Sequence, residues 1–432
     1  MANPIEINVS KWRLPPQPYF NNVTPSLSDI ARNKSVWAHG LGKWFIAIPW
    51  SDVPYTQPIP YTIIESSDGI TWDGVSTVGI GGIQFSIVWS EDLGFLCAGW
   101  PATDGTNNPP SDPDFQNPVK SAISADGTTW TRSSQTGAVS PTGWSSSLSQ
   151  FNAGLLYSNN GLDWTEGNRP DPDISNFNWS DVTWDSGHSR WVAVSVNTYA
   201  LPDPGSVATS DDGINWTIQF SLTRHDEIPR FIAYSSDLDQ LLFITSRTYY
   251  DSPTSSWVYE NYVYTSTDGG STWTDNGQFN GNNNAVGAEF PRPCWFGERG
   301  LWILGNAFGR IFTSADGVNW NQDTDISSTP WEGYSGYNTV DEIRWSPDLH
   351  QLIVIGSALN SYSSTYYLGV YDLNRQADGI ETAGWVSPSC LVNDPIEPGS
   401  SSYTSAFCAS EGTFDPPTEE NPSLLTTSSF VG

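Results

Sequence analysis

Ser66-Ser67-Asp68-Gly69-Ile70-Thr71-Trp72 is the first of six near-copies of one phrase, S-x-D-G-x-x-W. The others run Ser124–Trp130, Ser158–Trp164, Ser210–Trp216, Ser266–Trp273 and Ser314–Trp320. Asn160 replaces the Asp in the third copy. The fifth, Ser266-Thr267-Asp268-Gly269-Gly270-Ser271-Thr272-Trp273, carries one extra residue. Self-similarity at a period of tens of residues marks a stacked or radial repeat fold and outranks any local reading.

The phrase describes a tight turn with an anchor. Asp or Asn accepts hydrogen bonds from backbone N–H groups just ahead of it, and Gly supplies the positive φ that other residues resist. The Trp restarts a strand and buries a large apolar surface. The longer fifth copy resembles the Asp-box (BNR) motif, S-x-D-x-G-x-x-W, of sialidase-like β-propellers, and the shorter form is similar to a common variant of it. The resemblance spans roughly residues 60 to 320. It implies a fold and leaves the function open, since one fold hosts many activities.

A second repeat sets the number of units. Trp37, Trp89, Trp144, Trp184, Tyr234, Trp295 and Trp345 each precede a short turn, and seven residues on stands Trp44, Leu96, Phe151, Trp191, Leu241, Trp302 or Leu352. Ala377-Asp378-Gly379 followed by Trp385 reads as a decayed, lengthened seventh phrase. Each unit then holds a tagged inner strand, a turn, an apolar strand, a loop, a third strand, the phrase and an outer strand. Four strands repeated seven times predict an all-β, seven-bladed propeller of antiparallel blades. The third unit is compact, with almost no loop between Phe151 and Ser158. Counted only as an inserted hairpin, it leaves a six-bladed alternative. Trp makes up 22 of 432 residues, and most sit at repeat positions, where blade-to-blade packing explains them better than ligand stacking.

The chain divides into an N-terminal arm at 1–36, the propeller at 37–385 and a Ser/Thr/Pro-rich extension at 386–432. A ring must close its first blade onto its last, because an open edge is a liability. Ile5-Glu6-Ile7-Asn8-Val9 alternates as an edge strand does, and either flank suits closure, partner docking or homo-oligomer formation.

Acidic residues outnumber basic ones 47 to 17, a net charge of −30. That field repels phosphates and anionic membranes, so nucleic-acid binding is excluded as an expectation. No apolar run nears the ~20 residues of a membrane helix. No cofactor is expected. Structural calcium on Asp112-Pro113-Asp114 or Asp171-Pro172-Asp173 is the one exception considered, and neither stretch has the spaced ligands of a calcium loop. Four Cys without C-x-x-C spacing, and four His, speak against zinc. Cys97 and Cys294 read as buried thiols, while Cys390 and Cys408 stand in the tail as a possible pair. Met-Ala-Asn-Pro-Ile-Glu has neither the basic nor the apolar region of a secretory signal.

The resemblance puts the phrases on the face opposite the ligand site, so Asp68, Asp126, Asn160, Asp212, Asp268 and Asp316 are read as structural. The ligand face would be built by loops between second and third strands and between blades. Those loops are rich in aromatics and amides, the residues of a carbohydrate- or protein-binding surface. The candidates are Trp50, Tyr55, Trp100, Trp179, Tyr199, Tyr250, Trp257, Trp331, Tyr334 and Tyr337. No catalytic residue is assigned. A sialidase needs an arginine triad, an acid/base carboxylate and a Tyr–Glu nucleophile pair. The family's Phe/Tyr-Arg-Ile-Pro start is absent, Phe290-Pro291-Arg292-Pro293 echoes it only superficially, and Arg224, Arg230, Arg292 and Arg344 fall near blade entrances. The expected function is therefore a non-catalytic propeller on a bacteriophage virion surface or tail, binding host-surface glycan or another virion protein and extracellular after lysis. The alternatives are a sialidase-like glycoside hydrolase and an intracellular assembly scaffold.

Overall fold

The computed structural model describes residues 35–48, 61–78, 86–99, 119–137, 139–170, 177–197, 205–224, 227–251, 256–279, 292–305, 310–322, 337–360, 363–373, 376–377, 380–381, 384–386 and 389–391. Seven sheets, each built on four antiparallel strands, make seven blades. Blade 1 holds β1 (Ser35–Ala38), β2 (Lys43–Ile48), β3 (Tyr61–Ser66) and β4 (Thr71–Val78). Blade 2 holds β5 (Ser86–Ser90), β6 (Phe95–Gly99), β7 (Ser121–Ser124) and β8 (Thr131–Arg132). The compact third unit is a full blade: β9 (Gly143–Ser145), β10 (Gln150–Ala153), β11 (Leu156–Ser158) and β12 (Thr165–Glu166). Its six-bladed alternative falls away. Blade 4 is β13 (Phe177–Asp185), β14 (Arg190–Asn197), β15 (Ser206–Ser210) and β16 (Thr217–Ser221). Blade 5 is β17 (Glu227–Ser235), β18 (Gln240–Asp251), β19 (Ser256–Ser266) and β20 (Thr274–Gln278). Blade 6 is β21 (Cys294–Phe296), β22 (Leu301–Gly305), β23 (Ile311–Ser314) and β24 (Asn321–Gln322).

Blade 7 departs from the pattern at the decayed phrase. After β25 (Tyr337–Ser346), β26 (Gln351–Asn360) and β27 (Ser363–Asp372), a small hairpin of β28 (Gln376–Ala377) and β29 (Ile380–Glu381) precedes its fourth strand, β30 (Gly384–Val386). β31 (Ser389–Leu391) then lies parallel on β4 as a fifth strand of blade 1. The C-terminal flank thus ties blade 7 to blade 1. Ile5–Val9 and Cys408 lie outside the described residues.

The first strands touch in sequence, from β1 through β5, β9, β13, β17, β21 and β25 back to β1, a closed ring about one axis. Seven apolar clusters fill the seven gaps between blades. The closing one joins Trp44, Ile46, Ile64 and Trp72 of blade 1 to Ile353, Ile355 and Val370 of blade 7. The ring therefore closes by burial of apolar area, the same force that joins every other pair of blades. Cys97 and Cys294 are buried free thiols in such clusters, and burial pushes both thiols up.

The phrase folds as a hydrogen-bonded knot. Asp68 Oδ1 accepts from the backbone N–H groups of Ile70 at 2.8 Å and Thr71 at 2.6 Å. Ser66 Oγ accepts from Gly69 N at 2.8 Å, and the Trp72 indole N–H donates to Gly69 O at 2.9 Å. Asn160 Oδ1 does the same work for Leu162 and Asp163 at 2.9 and 2.8 Å. The glycine is required twice over at Gly213: its φ is +71°, and an added Cβ would stand 1.9 Å from Gln150 Oε1 of the preceding blade.

The same chemistry locks blades together. Gln240 begins β18, donates to Asp316 O of blade 6 at 3.0 Å, and accepts from the Trp302 indole N–H at 2.8 Å. Gln351 begins β26 and donates to Asp68 O of blade 1 at 2.8 Å. Three of the inner-strand tags bond backward to the preceding blade: Trp37 to Asp348, Trp144 to Asp92 and Trp295 to Asp237, at 2.5, 2.9 and 2.7 Å. Among the described residues no helix is long and apolar enough to cross a membrane.

Candidate ligand-binding face

Antiparallel blades put the first-to-second and third-to-fourth turns on one face. The opposite face takes the second-to-third loops and the blade-to-blade connections. Blade 5 extends toward that second face on a long hairpin, in which β18 and β19 pair without a break from Leu241↔Ser266 to Asp251↔Ser256. Side chains two apart share a strand face. On β18 these are Phe243, Thr245, Arg247 and Tyr249, and opposite them on β19 are Tyr264, Tyr262, Glu260 and Val258.

This face starts in the core and ends in solvent. Phe243 and Tyr264 stack at 4.8 Å in the apolar cluster against blade 4. Above them Arg224 lies over the Tyr262 ring at 3.9 Å and donates to Asp275 Oδ2 at 2.5 Å. Further out, Arg247 lies over the Tyr249 ring at 4.3 Å and donates to Glu260 Oε2 at 3.0 Å. The Tyr262 and Tyr249 hydroxyls donate to Glu260 at 2.8 and 3.3 Å. Burial, with the hydrogen bond to Glu260 next, raises the Tyr262 phenol above its ordinary range. The result is a partly exposed ledge of two tyrosines, two arginines and a carboxylate, each held by its neighbours.

At the base of the ledge Glu227 is buried, and its Oε1 accepts from Thr245 Oγ1 at 2.6 Å and from the Tyr264 hydroxyl at 2.9 Å. Arg224 Nη1 in turn donates to the Tyr264 oxygen at 2.6 Å. A Tyr–Glu pair is the nucleophile arrangement that the sialidase reading calls for. Here burial, and then the charge of Glu227, push the Tyr264 phenol far up. Tyr264 is 2% exposed, so it serves as a buried hydrogen-bond donor and has no access to a substrate.

A second polar group lies on the inner strands. Bulges skip one residue between Trp179 and Asp181, between Pro229 and Phe231, and between Val340 and Glu342. All three fall at the same place in their blades, and a one-residue slip changes which side chains face the neighbouring blade. Asp181 accepts from Ile232 N of blade 5 at 3.0 Å and pairs with Arg292 at the start of blade 6, so one buried carboxylate ties three blades. Glu342 is buried and accepts from Arg344 Nε at 2.7 Å. Burial holds the Arg292 guanidinium below its ordinary value, against the pull of Asp181. The arginines singled out in the sequence are thus engaged: Arg292 with Asp181, Arg344 with Glu342, Arg224 with Glu227 and Asp275, and Arg230 with Ser246.

Of the ten aromatic candidates, Trp50, Tyr55, Trp100, Tyr199, Trp331 and Tyr334 lie outside the described residues. Tyr250 and Trp257 oppose one another near the end of the β18–β19 hairpin, and Tyr337 opens β25. Trp179 is a core residue, 8% exposed, with its ring 4.7 Å from Trp216. The inner strand begins at Phe177, earlier than its tag Trp184 indicates, and carries Trp179 into the interface with blade 3. Sequence reasoning passed over Tyr249, Tyr262, Arg247 and Glu260 as individual residues. Their signal is the alternation of Arg247 with Tyr249, and of Glu260 with Tyr262 and Tyr264, in two adjacent runs.

No protein-family model matches the sequence, and neither does any curated protein. Solved structures match in fold. The polysaccharide lyase Uly1 is 11% identical with a TM-score of 0.50, over 82% of this chain and 91% of its own. The GH93 α-L-arabinofuranosidase of Fusarium graminearum, solved with arabinobiose, is 12% identical with a TM-score of 0.47, over 80% of this chain and 93% of its own. The Trypanosoma rangeli sialidase, solved with the inhibitor DANA, is 11% identical with a TM-score of 0.41, over 79% of this chain and 54% of its own. At such identities the likeness is one of fold.

Proposed function

We propose that this propeller is a non-catalytic binding protein whose loop face holds a glycan, with the blade 5 ledge as a principal contact. The observation that carries the reading is the partly exposed row of Tyr249, Arg247, Glu260, Tyr262 and Arg224. Flat rings beside fixed donors and acceptors suit sugar hydroxyls and C–H faces. The finer setting we propose is the outside of a bacteriophage particle, where the partner is host-surface glycan or a neighbouring virion protein. A chain of net charge −30 suits neither nucleic acid nor an anionic membrane as that partner.

Glycoside hydrolysis is the competing chemistry. It needs two approachable carboxylates at a defined separation. The carboxylates of Asp181, Glu227, Glu260 and Glu342 are each bound by a neighbouring arginine or hydroxyl, which favours binding over turnover. A glycan array separates the two readings. The parent should retain a defined set of glycans, and Tyr249→Ala and Arg247→Ala should weaken retention about tenfold, roughly 1.4 kcal/mol. Equal retention by parent and variants, or no retention, sinks the binding reading. Release of reducing sugar that disappears in Glu260→Gln establishes an enzyme instead.

A further inference from the structure

The seven blades provide an internal comparison for every position of the first-to-second turn. At the turn's first position, blades 2, 3, 5 and 7 carry Ser90, Ser145, Ser235 and Ser346. Each hydroxyl caps the N–H three residues on, that of Leu93, Leu148, Leu238 or Leu349, at 3.2 Å. Blades 1 and 6 have no hydroxyl there, with Ala38 and Phe296, and blade 4 has Asp185 for the serine and His188 for the leucine. Asp185 Oδ1 still caps the His188 N–H at 3.0 Å. Its second oxygen is surplus to that task, yet the side chain is only 1% exposed and Oδ2 points at His188 Nδ1, 3.0 Å away.

Two residues of blade 5 meet at the same spot. Asp239 brings Oδ1 to 3.7 Å from His188 Nδ1. Tyr234 is the one tag of seven that is not Trp, and its hydroxyl donates to Asp239 Oδ1 at 2.8 Å and accepts from Gly187 N at 3.0 Å. Gly187 keeps the space open, since a Cβ there would stand 2.2 Å from Asp239 Oδ1. Asp185, His188, Tyr234 and Asp239 therefore converge on one point, and holding the turn uses only Oδ1 of Asp185 and the acceptor side of the Tyr234 hydroxyl. A buried carboxylate is normally matched by a cation. The neighbour of Asp185 Oδ2 is an imidazole, which is itself a metal ligand when neutral.

We propose that Asp185, His188 and Asp239 bind one divalent transition-metal ion of the zinc class between blades 4 and 5. The three donor atoms already lie within 4.8 Å of one another. Zinc bonds of about 2.0–2.2 Å to imidazole nitrogen and carboxylate oxygen then require a modest inward turn of the exposed Asp239. One nitrogen and two oxygens favour zinc, manganese or cobalt over calcium, which takes oxygen donors alone. The site lies on the turn face, opposite the ledge, and is accessible from solvent through His188 and Asp239, which are 30% and 55% exposed.

The test is calorimetric titration of the EDTA-treated full-length chain with ZnCl2, with CaCl2 as comparison. One saturable equivalent of zinc is expected, together with a rise in melting temperature and no matching calcium response. The double variant Asp185→Ser, His188→Leu installs the pair that blades 2, 3, 5 and 7 use, so it keeps the turn while losing the heat and the thermal shift. If that variant does not fold, Asp239→Asn serves in its place and should bind zinc at least tenfold more weakly. Absence of saturable binding by the parent, equal binding by parent and variants, or calcium binding as tight as zinc overturns the proposal.

Discussion

Asp212 and Asp316 show what the repeated carboxylate contributes. Burial alone would raise them, but backbone N–H donors outweigh it, those of Asn215 and Ile214 in one turn and of Asn319 and Val318 in the other. With added side-chain hydrogen bonds, both carboxyls are held at about 2. Asp68 is lowered for the same reason, Asp268 is lowered, against the pull of burial, by the Thr272 hydroxyl and then its N–H, and in Asp126 the donors of Thr129 and Thr128 dominate outright. A carboxyl lowered in the folded state stabilises it above the unfolded value and loses that contribution as pH falls through the folded one. Acid should therefore erode stability between about pH 4 and pH 2. Asp316→Asn keeps the acceptor oxygen, as Asn160 does naturally. It should lower the urea midpoint modestly at neutral pH, since the charge and the bond from Asn319 Nδ2 are lost, while flattening its acid decline. Asp316→Ala should cost about 1 kcal/mol at neutral pH, as loss of a helix-capping side chain does. This chemistry was legible because it is local: acceptor, glycine and donors lie within five residues. The pairing of Asp181 with Arg292 was not, because 111 residues separate the partners.

Strand pairs and turns carry the next level of order. Gln150, Gln240 and Gln351 occupy the same place in blades 3, 5 and 7, the first residue of the second strand. From there Gln240 and Gln351 reach the phrase of the following blade. Gln240→Leu removes the acceptor of the buried Trp302 indole and the donor to Asp316 O. It should cost about 1–3 kcal/mol in urea unfolding. The interlock was invisible beforehand because a polar residue at a strand start reads as an ordinary hairpin end. The ledge was partly legible. Tyr250 and Trp257 were read as part of a loop surface, whereas Tyr249 and Tyr262 lie in continuous strand on either side of the turn. Strand alternation rather than loop packing is what sets Tyr249 beside Arg247 and Glu260.

The assembled ring is closed twice, by apolar packing of blade 7 on blade 1 and by β31 on β4. A chain ending after Val386 retains the first closure and loses the second. Its melting temperature should fall by a few degrees, for a loss of about 1–2 kcal/mol in ladder hydrogen bonds. Unchanged melting would show that packing alone closes the ring. Blade number, strand order and the fold of each turn follow from the sequence by itself, since each is written in a short segment and repeated until the pattern outweighs its exceptions. Tertiary structure alone decided which carboxylates are consumed in ion pairs, that Trp179 is core, and that Asp185, His188, Tyr234 and Asp239 meet. The reason is physical: a repeat specifies what each blade does alike, whereas a site is made where unlike residues of different blades come within a few ångströms, and that proximity exists only once the ring has closed.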